Sequence, residues 1–344
     1  MVIELTDGLA QCPKDKMDAL SVSIENLLIG YYEGNHILMI SAPFCKYIRD
    51  HNLIKSDRAY KALYVIEENG AYDLHVLWHL LVVLENADPA KHEVDYSFFT
   101  LARTILPTAF LCENLDDIKF YMQLAERYFP NTRMISTNYH GGGGTTAEVF
   151  CHIKKLKVPC LVILDSDVKY PGCKKGDTAK RCLSRYKKEN GYIEVKMLDV
   201  HEAENLLPIE FLKTVATSKA STFLKLLEAK RMLDKLIYLD IKEGVRKEDV
   251  INDLNYKSFC EEIYDKLYKK GANNFAKYIG QKKNDSDYIF VPITSKLLEK
   301  YIDSHSQLNK NNFLYHDDIM TPYRKQIAEL VQTFTCCRGL DPLN

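Results

Sequence analysis

The run Val158-Pro-Cys-Leu-Val-Ile-Leu-Asp165-Ser-Asp167 constrains this chain most. A short apolar stretch of this composition reads as a strand buried in a sheet, and it delivers two carboxylates at its C-terminal end. Unpaired carboxylates beside a core cost several kcal/mol unless a cation sits with them, and a divalent metal is the simplest cation to supply. Upstream, Thr108-Ala-Phe-Leu-Cys-Glu113-Asn-Leu-Asp-Asp117 repeats the design: an apolar run ends in Glu113, and Asp117 follows four residues on. Between the two lies Gly141-Gly-Gly-Gly144, and downstream comes His201-Glu202-Ala-Glu204-Asn205.

Strand and helix signals alternate from 106 to about 210, which predicts a parallel sheet with crossover helices. The expected strands are Ala109 to Glu113, Thr132 to Ser136, Cys160 to Asp165 and Tyr192 to Met197. The expected helices run from Leu115 to Tyr128, with Asn114 as cap, and from Thr146 to Leu156. Residues 1–105 read as a mainly helical region, with helical spacing over Ala19 to Tyr32 and Tyr72 to Leu84, and His36 to Ile40 as a short strand. Gly30, Gly34 and Gly70 punctuate it, and Trp78, the only tryptophan, is expected in the core. After 210 the spacing is again helical, over Thr222 to Lys235, Tyr256 to Tyr268, Ile293 to Tyr301 and Tyr323 to Phe334. Gly271, Lys282 to Ser286 and Asn309 to Asn312 read as loops. The fold class expected is therefore α/β, a parallel-sheet core over 106–245 between helical regions at 1–105 and 246–344.

Composition removes several function classes. The 344 residues carry 46 Lys and Arg against 47 Asp and Glu, a formal charge of −1, so no global basicity advertises nucleic acid. Any such binding must use a local patch, for which Lys169, Lys174, Lys175, Lys180 and Arg181 just after the second acid pair are the candidates. The lysines between Lys257 and Lys283 read as a solvated face. No window approaches the ~20 apolar residues of a membrane span, and the start Met1-Val-Ile-Glu-Leu-Thr-Asp lacks the basic and apolar regions of a signal peptide, so a cytoplasmic location is expected. The ten cysteines are scattered without a Cys-x-x-Cys pair and read as small buried apolar residues, not zinc ligands.

In an open parallel sheet, ligands sit beyond the carboxyl ends of the strands, where Glu113, Asp165 and Asp167 all fall. On an extended strand Asp165 and Asp167 point to the same side. A βαβαβ unit brings the first strand beside the third, converging Glu113 on them. At ~4 Å and an effective dielectric near 20, each like-charge pair costs on the order of 4 kcal/mol, so without metal the cluster should be loose or partly protonated. Oxygen-only ligation favours Mg²⁺ or Mn²⁺. The glycine run, with Gly142 and Gly143 at its centre, is open to two readings: a backbone cradle for phosphate at a helix N-terminus, or a turn. No Gly-Lys-Ser/Thr follows, so no P-loop is present.

The order Glu113, glycine turn, Asp165-x-Asp167 resembles the Toprim domain of topoisomerases, primases and a set of nucleases. Glu113 with Asp117 is similar to the Glu-Gly-x-x-Asp variant of the overcoming-lysogenization-defect (OLD) nucleases, with Asn114 in place of the glycine. Glu202-Ala-Glu204-Asn205 and Asp240-Ile-Lys242-Glu-Gly244 resemble elements of their small stand-alone relatives in bacterial anti-phage systems. The resemblance covers roughly 108 to 245. It implies metal-dependent phosphodiester cleavage. Glu113 would ligate one ion and orient or deprotonate the water, Asp165 and Asp167 would hold the metals, and Asp117 and Glu204 would complete the second site. Lys242 would neutralise charge on the phosphate, or be an ordinary loop lysine. The low net charge favours a structured RNA such as tRNA, a single strand or a DNA end over a long duplex, with RNA placed slightly ahead of DNA. Lacking a Walker motif, the chain is expected to be a toxic effector controlled by a separate ATPase sensor; a homo-oligomer is compatible with that role. The rival readings are a catalytically inactive scaffold that binds a partner protein, and a topoisomerase- or primase-type enzyme, for which the chain leaves little room.

Overall fold

The protein is described by a computed structural model covering residues 1–69, 76–142, 144–186, 191–268, 273–280, 287–307 and 318–338. It is α/β, with two four-stranded parallel sheets flanked by helices, as the alternating sequence pattern predicts. The first elements in chain order are β1 (Val2–Leu5), α1 (Met17–Tyr32), β2 (Ile37–Ile40), α2 (Ala42–Asp50), α3 (Asp57–Asn69), β3 (Leu80–Val83) and β4 (Glu93–Asp95). Next come β5 (Ala109–Cys112), α4 (Leu115–Tyr128), β6 (Thr137–His140), α5 (Thr146–Leu156), β7 (Cys160–Leu164), α6 (Asp177–Arg185) and β8 (Ile193–Met197). The remainder is α7 (Ile209–Val215), α8 (Ser218–Ala229), β9 (Val245–Arg246), α9 (Lys247–Ile251), α10 (Leu254–Tyr268), α11 (Asn273–Gly280), β10 (Tyr288–Phe290), α12 (Leu297–Gln307) and α13 (Thr321–Thr335).

These elements form two compact units. The first comprises Met1–Leu164, Arg181–Lys196 and Lys325–Asn344, and the second Asp165–Lys180 and Met197–Arg324. In the first unit one sheet has the order β2-β1-β3-β4 and the other β6-β5-β7-β8. Residues 1–105 thus combine the expected helices with a parallel sheet that periodicity did not disclose. The apolar run up to Leu84, whose spacing predicts a helix, supplies β3 instead, because Leu80 to Val83 can satisfy a ladder with β1 on one side and β4 on the other. Gly70 and Tyr72 to Leu74 lie outside the described residues. Trp78, expected in the core, precedes β3 and is only half-buried, stacked on His92 at 3.8 Å and edge-on to Phe334.

In the second sheet the central strands β5 and β7 are buried at every residue and pair in parallel register, Phe110 with Leu161 and Leu111 with Val162. The strand expected at Thr132 to Ser136 forms five residues later as the edge strand β6, which pairs Ala109 with Thr137 and Cys112 with His140. Its Thr-Asn-Tyr-His sequence is largely exposed and gives no apolar signal. Helix α4 buries Ile118, Tyr121, Leu124 and Ala125 along one face, the i, i+3 spacing of an amphipathic helix. The second unit is helical around the short antiparallel pair β9 and β10. There Arg324, only 4% exposed, pairs with Asp318 at 2.9 Å while Asp318 also accepts the Ile209 N–H, which anchors the start of α7. The expected loops at Gly271, Lys282 to Ser286 and Asn309 to Asn312 lie outside the described residues.

All ten cysteines are free thiols and most are buried, which fits small apolar packing. No described helix is long and apolar enough to cross a membrane.

Candidate functional site

Within the first unit, Glu113 follows directly on β5 and is partly buried. Burial, and then the Glu113 charge, push the Cys182 thiol up to about 11, which puts the carboxylate near α6. Asp117 is buried and accepts the Asn114 N–H at 2.9 Å, so it is the return half of the capping box that starts α4. Asn114 is thus the cap expected from the sequence, and Asp117 carries a structural bond in the place where a metal role was assigned.

The glycine turn folds back on the end of β5. The Gly141 N–H donates to the Cys112 carbonyl and the Gly142 N–H to the Glu113 carbonyl, at 3.2 and 3.0 Å. A Cβ at Gly141 would collide with the backbone of Thr146, and Gly142 has φ +58°, so both positions need glycine. With those two N–H groups engaged, the turn fixes the peptide that carries Glu113. Gly143 lies outside the described residues.

The second unit opens with Asp165, which accepts the Ala203 N–H at 3.0 Å. Strand β7 ends at Leu164, and Asp167 adopts φ +53°, so the alternation that would place both carboxylates on one strand face does not apply. A turn holds them instead. The N–H groups of Ser166 and Asp167 both donate to the His201 carbonyl at 3.1 and 3.0 Å, and the buried Ser166 hydroxyl donates to Val200 O at 2.6 Å. Gly176 closes the turn from the other side with its N–H on Ser166 O at 2.9 Å. A side chain at Gly176 would strike the Asp167 carboxylate.

The His201-Glu202-Ala-Glu204-Asn205 stretch forms a 3-10 turn clamped by one buried amide. Asn205 Oδ1 accepts the Glu202 N–H at 2.9 Å, and its Nδ2 donates to Leu236 O and Leu239 O at 2.7 and 2.8 Å. That clamp brings the turn against the segment leading to Asp240, whose Oδ1 accepts the N–H groups of Lys242 and Glu243 at 3.2 and 2.6 Å. Gly244, at φ +79° with Pro292 where a Cβ would go, completes the bend. The bend aims Lys242 at Glu204, with Nζ 3.2 Å from Oε1 and the glutamate side chain only 7% exposed.

The result is a concentration of charge. Burial first, then Glu204, Asp240 and Asp167, raise the Glu202 carboxyl from 4.5 to about 9 against the opposing pull of Lys242. Its Oε1 is buried with no hydrogen-bond partner among the described residues. His201 is lowered, by burial and by Lys169, although Asp240 and Asp167 pull the other way. Burial works against the Lys242 charge, but Glu204, Glu202 and Asp165 outweigh it and raise the ammonium above its ordinary value. Asp165, Asp167, Glu202, Glu204 and Asp240 are therefore one electrostatic group in the second unit. Of these, Glu202 and Asp240 were parts of motifs with no role assigned; the signal available was the second acid-x-acid spacing, Glu202-Ala-Glu204.

Among the basic candidates, Lys169 lies over the Tyr256 ring at 5.8 Å, and Lys174 and Lys175 are exposed. Lys180 pairs with Asp177 at 3.0 Å, and Arg181 with Glu148 at 2.6 Å, so these two are already engaged.

The donor set suits a hard divalent cation, since carboxylate oxygens dominate it and the buried Glu202 Oε1 lacks a donor. Among the described residues, however, no three His, Cys, Asp or Glu side chains stand as ligands of one ion. Compared with family models, curated proteins and solved structures, the chain has no match.

Proposed function

We propose that this chain is a Toprim-type nuclease that hydrolyses phosphodiester bonds with Mg²⁺ or Mn²⁺. The observation that carries the reading is the second unit's carboxylate group, Asp165, Asp167, Glu202, Glu204 and Asp240 about Lys242, in which burial first and then the neighbouring carboxylates hold the Glu202 proton up to about pH 9. Asp165, Asp167 and Glu204 would hold the metal. A bound divalent ion supplies a water of lowered pKa and Lewis acidity toward phosphoryl oxygens. Lys242 leaves Glu204 and takes up charge on the substrate phosphate, and Asn205 keeps the Glu204 turn in place while that exchange occurs. Lys169, Lys174 and Lys175 hold the neighbouring backbone phosphates. Glu113→Gln and Asp117→Asn test the roles that motif order assigns to those two acids.

The low net charge supports a structured RNA such as tRNA, a single strand or a DNA end over a long duplex, with RNA placed slightly ahead of DNA. The absence of a Walker motif supports an effector governed by a separate ATPase in anti-phage defence, an analogy from motif order. The test is incubation of the pure protein with total RNA and with plasmid in Mg²⁺ and Mn²⁺, beside Asp165→Asn, Glu204→Gln and Glu113→Gln. Metal-dependent cleavage lost in the variants is the expected outcome, and cleavage confined to DNA reverses the substrate order. The Lys242–Glu204 pair favours a second reading, a partner-binding scaffold in which Lys242 stays on Glu204. Cleavage of neither substrate by partner-free protein selects it. Purification from the native operon without any ATPase attached removes the partner assignment.

A further inference from the structure

The sheet β2-β1-β3-β4 carries a cleft that the nuclease reading does not use. Strands β1 and β2 run parallel with Leu5 beside Ile40, so both end at one edge. Open parallel sheets bind ligands outside the carboxyl ends of their strands. A cleft of about 340 Å³ lies at that edge, between the ends of β1 and β2 and Ile66 of α3. That volume is enough for a small organic molecule.

Its chemistry is one-sided. Leu5, Met39, Ile40 and Ile66 form the apolar part, Thr6 and Ser41 bring hydroxyls, and the ionisable groups lining it are the carboxylates Glu4 and Asp7. The Thr6 hydroxyl is engaged by Val82 O at 2.7 Å. Glu4 Oε2 takes His79 Nδ1 at 2.8 Å, and Asp7 Oδ1 takes the Ser41 hydroxyl at 2.5 Å. A carboxylate has two oxygens and about four lone-pair sites, so each retains capacity for a ligand N–H. The N-terminus of α2, which would otherwise attract an anion, already has Asp7 beside its cap Ser41. A phosphate would meet two carboxylates here with no Lys or Arg in the lining. A protonated amine meets two partners and an apolar wall for its chain.

We propose that this cleft binds a small organic cation, an amine or guanidinium on a short aliphatic chain, between Glu4 and Asp7. The test is calorimetric titration of the full chain with cadaverine and with agmatine, using neutral pentanediol and inorganic phosphate as comparisons. Saturable binding at a Kd of about 1 mM or tighter is expected, with about tenfold or greater loss in the Glu4→Gln/Asp7→Asn double variant. Met39→Phe, which fills the cleft and leaves both charges, is expected to weaken binding as well and decides the matter if the double variant fails to fold. Absence of saturable binding overturns the proposal. So does unchanged affinity in both variants, which would place the amine on the second unit's carboxylates, or phosphate binding more tightly than either amine.

Discussion

Glu202→Gln should stabilise the protein in a way that grows with pH. The folded carboxyl is raised from 4.5 to about 9, by burial and then by Glu204, Asp240 and Asp167, with Lys242 opposing. Between those two values the folded protein keeps a proton that the unfolded chain releases, so stability is full below the unfolded value and falls as pH rises toward 9. The slope is about 1.4 kcal/mol per pH unit for a single proton. From 4.5 to neutrality this amounts to ~3 kcal/mol as an upper figure, and coupling within the carboxylate group brings it to about 1 to 3 kcal/mol. Glutamine carries no proton to lose and therefore removes the slope. Its amide needs a partner of its own, a pH-independent cost of about 1 kcal/mol, so the diagnostic is the trend and not the absolute value. Urea unfolding of parent and variant at pH 5, 6, 7 and 8, with equal m-values, measures it; these are roughly the pH values that span the window. A difference between the two proteins that stays flat, or that turns against the variant at high pH, would refute the electrostatic account of the cluster.

Other outcomes follow from the same contacts. Asn205→Leu should cost about 2 to 4 kcal/mol in unfolding free energy, because Leu236 O, Leu239 O and the Glu202 N–H lose one shared partner. Lys242→Met leaves the nearly buried Glu204 carboxylate without its ion pair and should destabilise by about 1 to 2 kcal/mol, a loss that added Mg²⁺ recovers in thermal melts if Glu204 is a ligand. Gly176→Ala should displace the Asp167 carboxylate and weaken Mn²⁺ binding by about tenfold or more, read by electron paramagnetic resonance of the free ion; undiminished binding would remove Asp167 from the ligand set. Asp165→Asn and Asp167→Asn should leave the fold intact and abolish cleavage, with melting temperatures equal to or above the parent's, since each relieves repulsion in the metal-free protein.

What the sequence could disclose depended on how strongly burial constrains each segment. Strands β5 and β7 are buried at every residue, so their apolar runs could hardly be anything else, and the acids that follow them stood out against that background. Helix α4 begins at its Asn114 capping box and α5 just after the glycine run, and both have the bounds expected from the sequence. Edge strand β6 pairs through its backbone while its side chains face solvent, and β3 is too short for its apolar residues to separate a two-residue period from a helical one. The candidate site divides in the same way. Carboxylates placed by a strand end are visible as a break in an apolar run. Glu202 and Asp240 become one electrostatic group only because Asn205 reaches carbonyls 31 and 34 residues further along the chain, and a single asparagine looks the same in a sequence whether it clamps two turns or faces water. The Asp165-Ser-Asp167 turn makes the complementary point. Strand alternation would have set both carboxylates on one face without help, whereas the observed turn needs a left-handed Asp167, the backbone of His201 and the missing side chain of Gly176. Left-handed backbone at a non-glycine residue costs on the order of 1 kcal/mol and persists only where the surroundings over-determine it. The backbone of His201 and the bare Cα of Gly176 together hold Asp167 in that conformation, which fixes where its carboxylate sits.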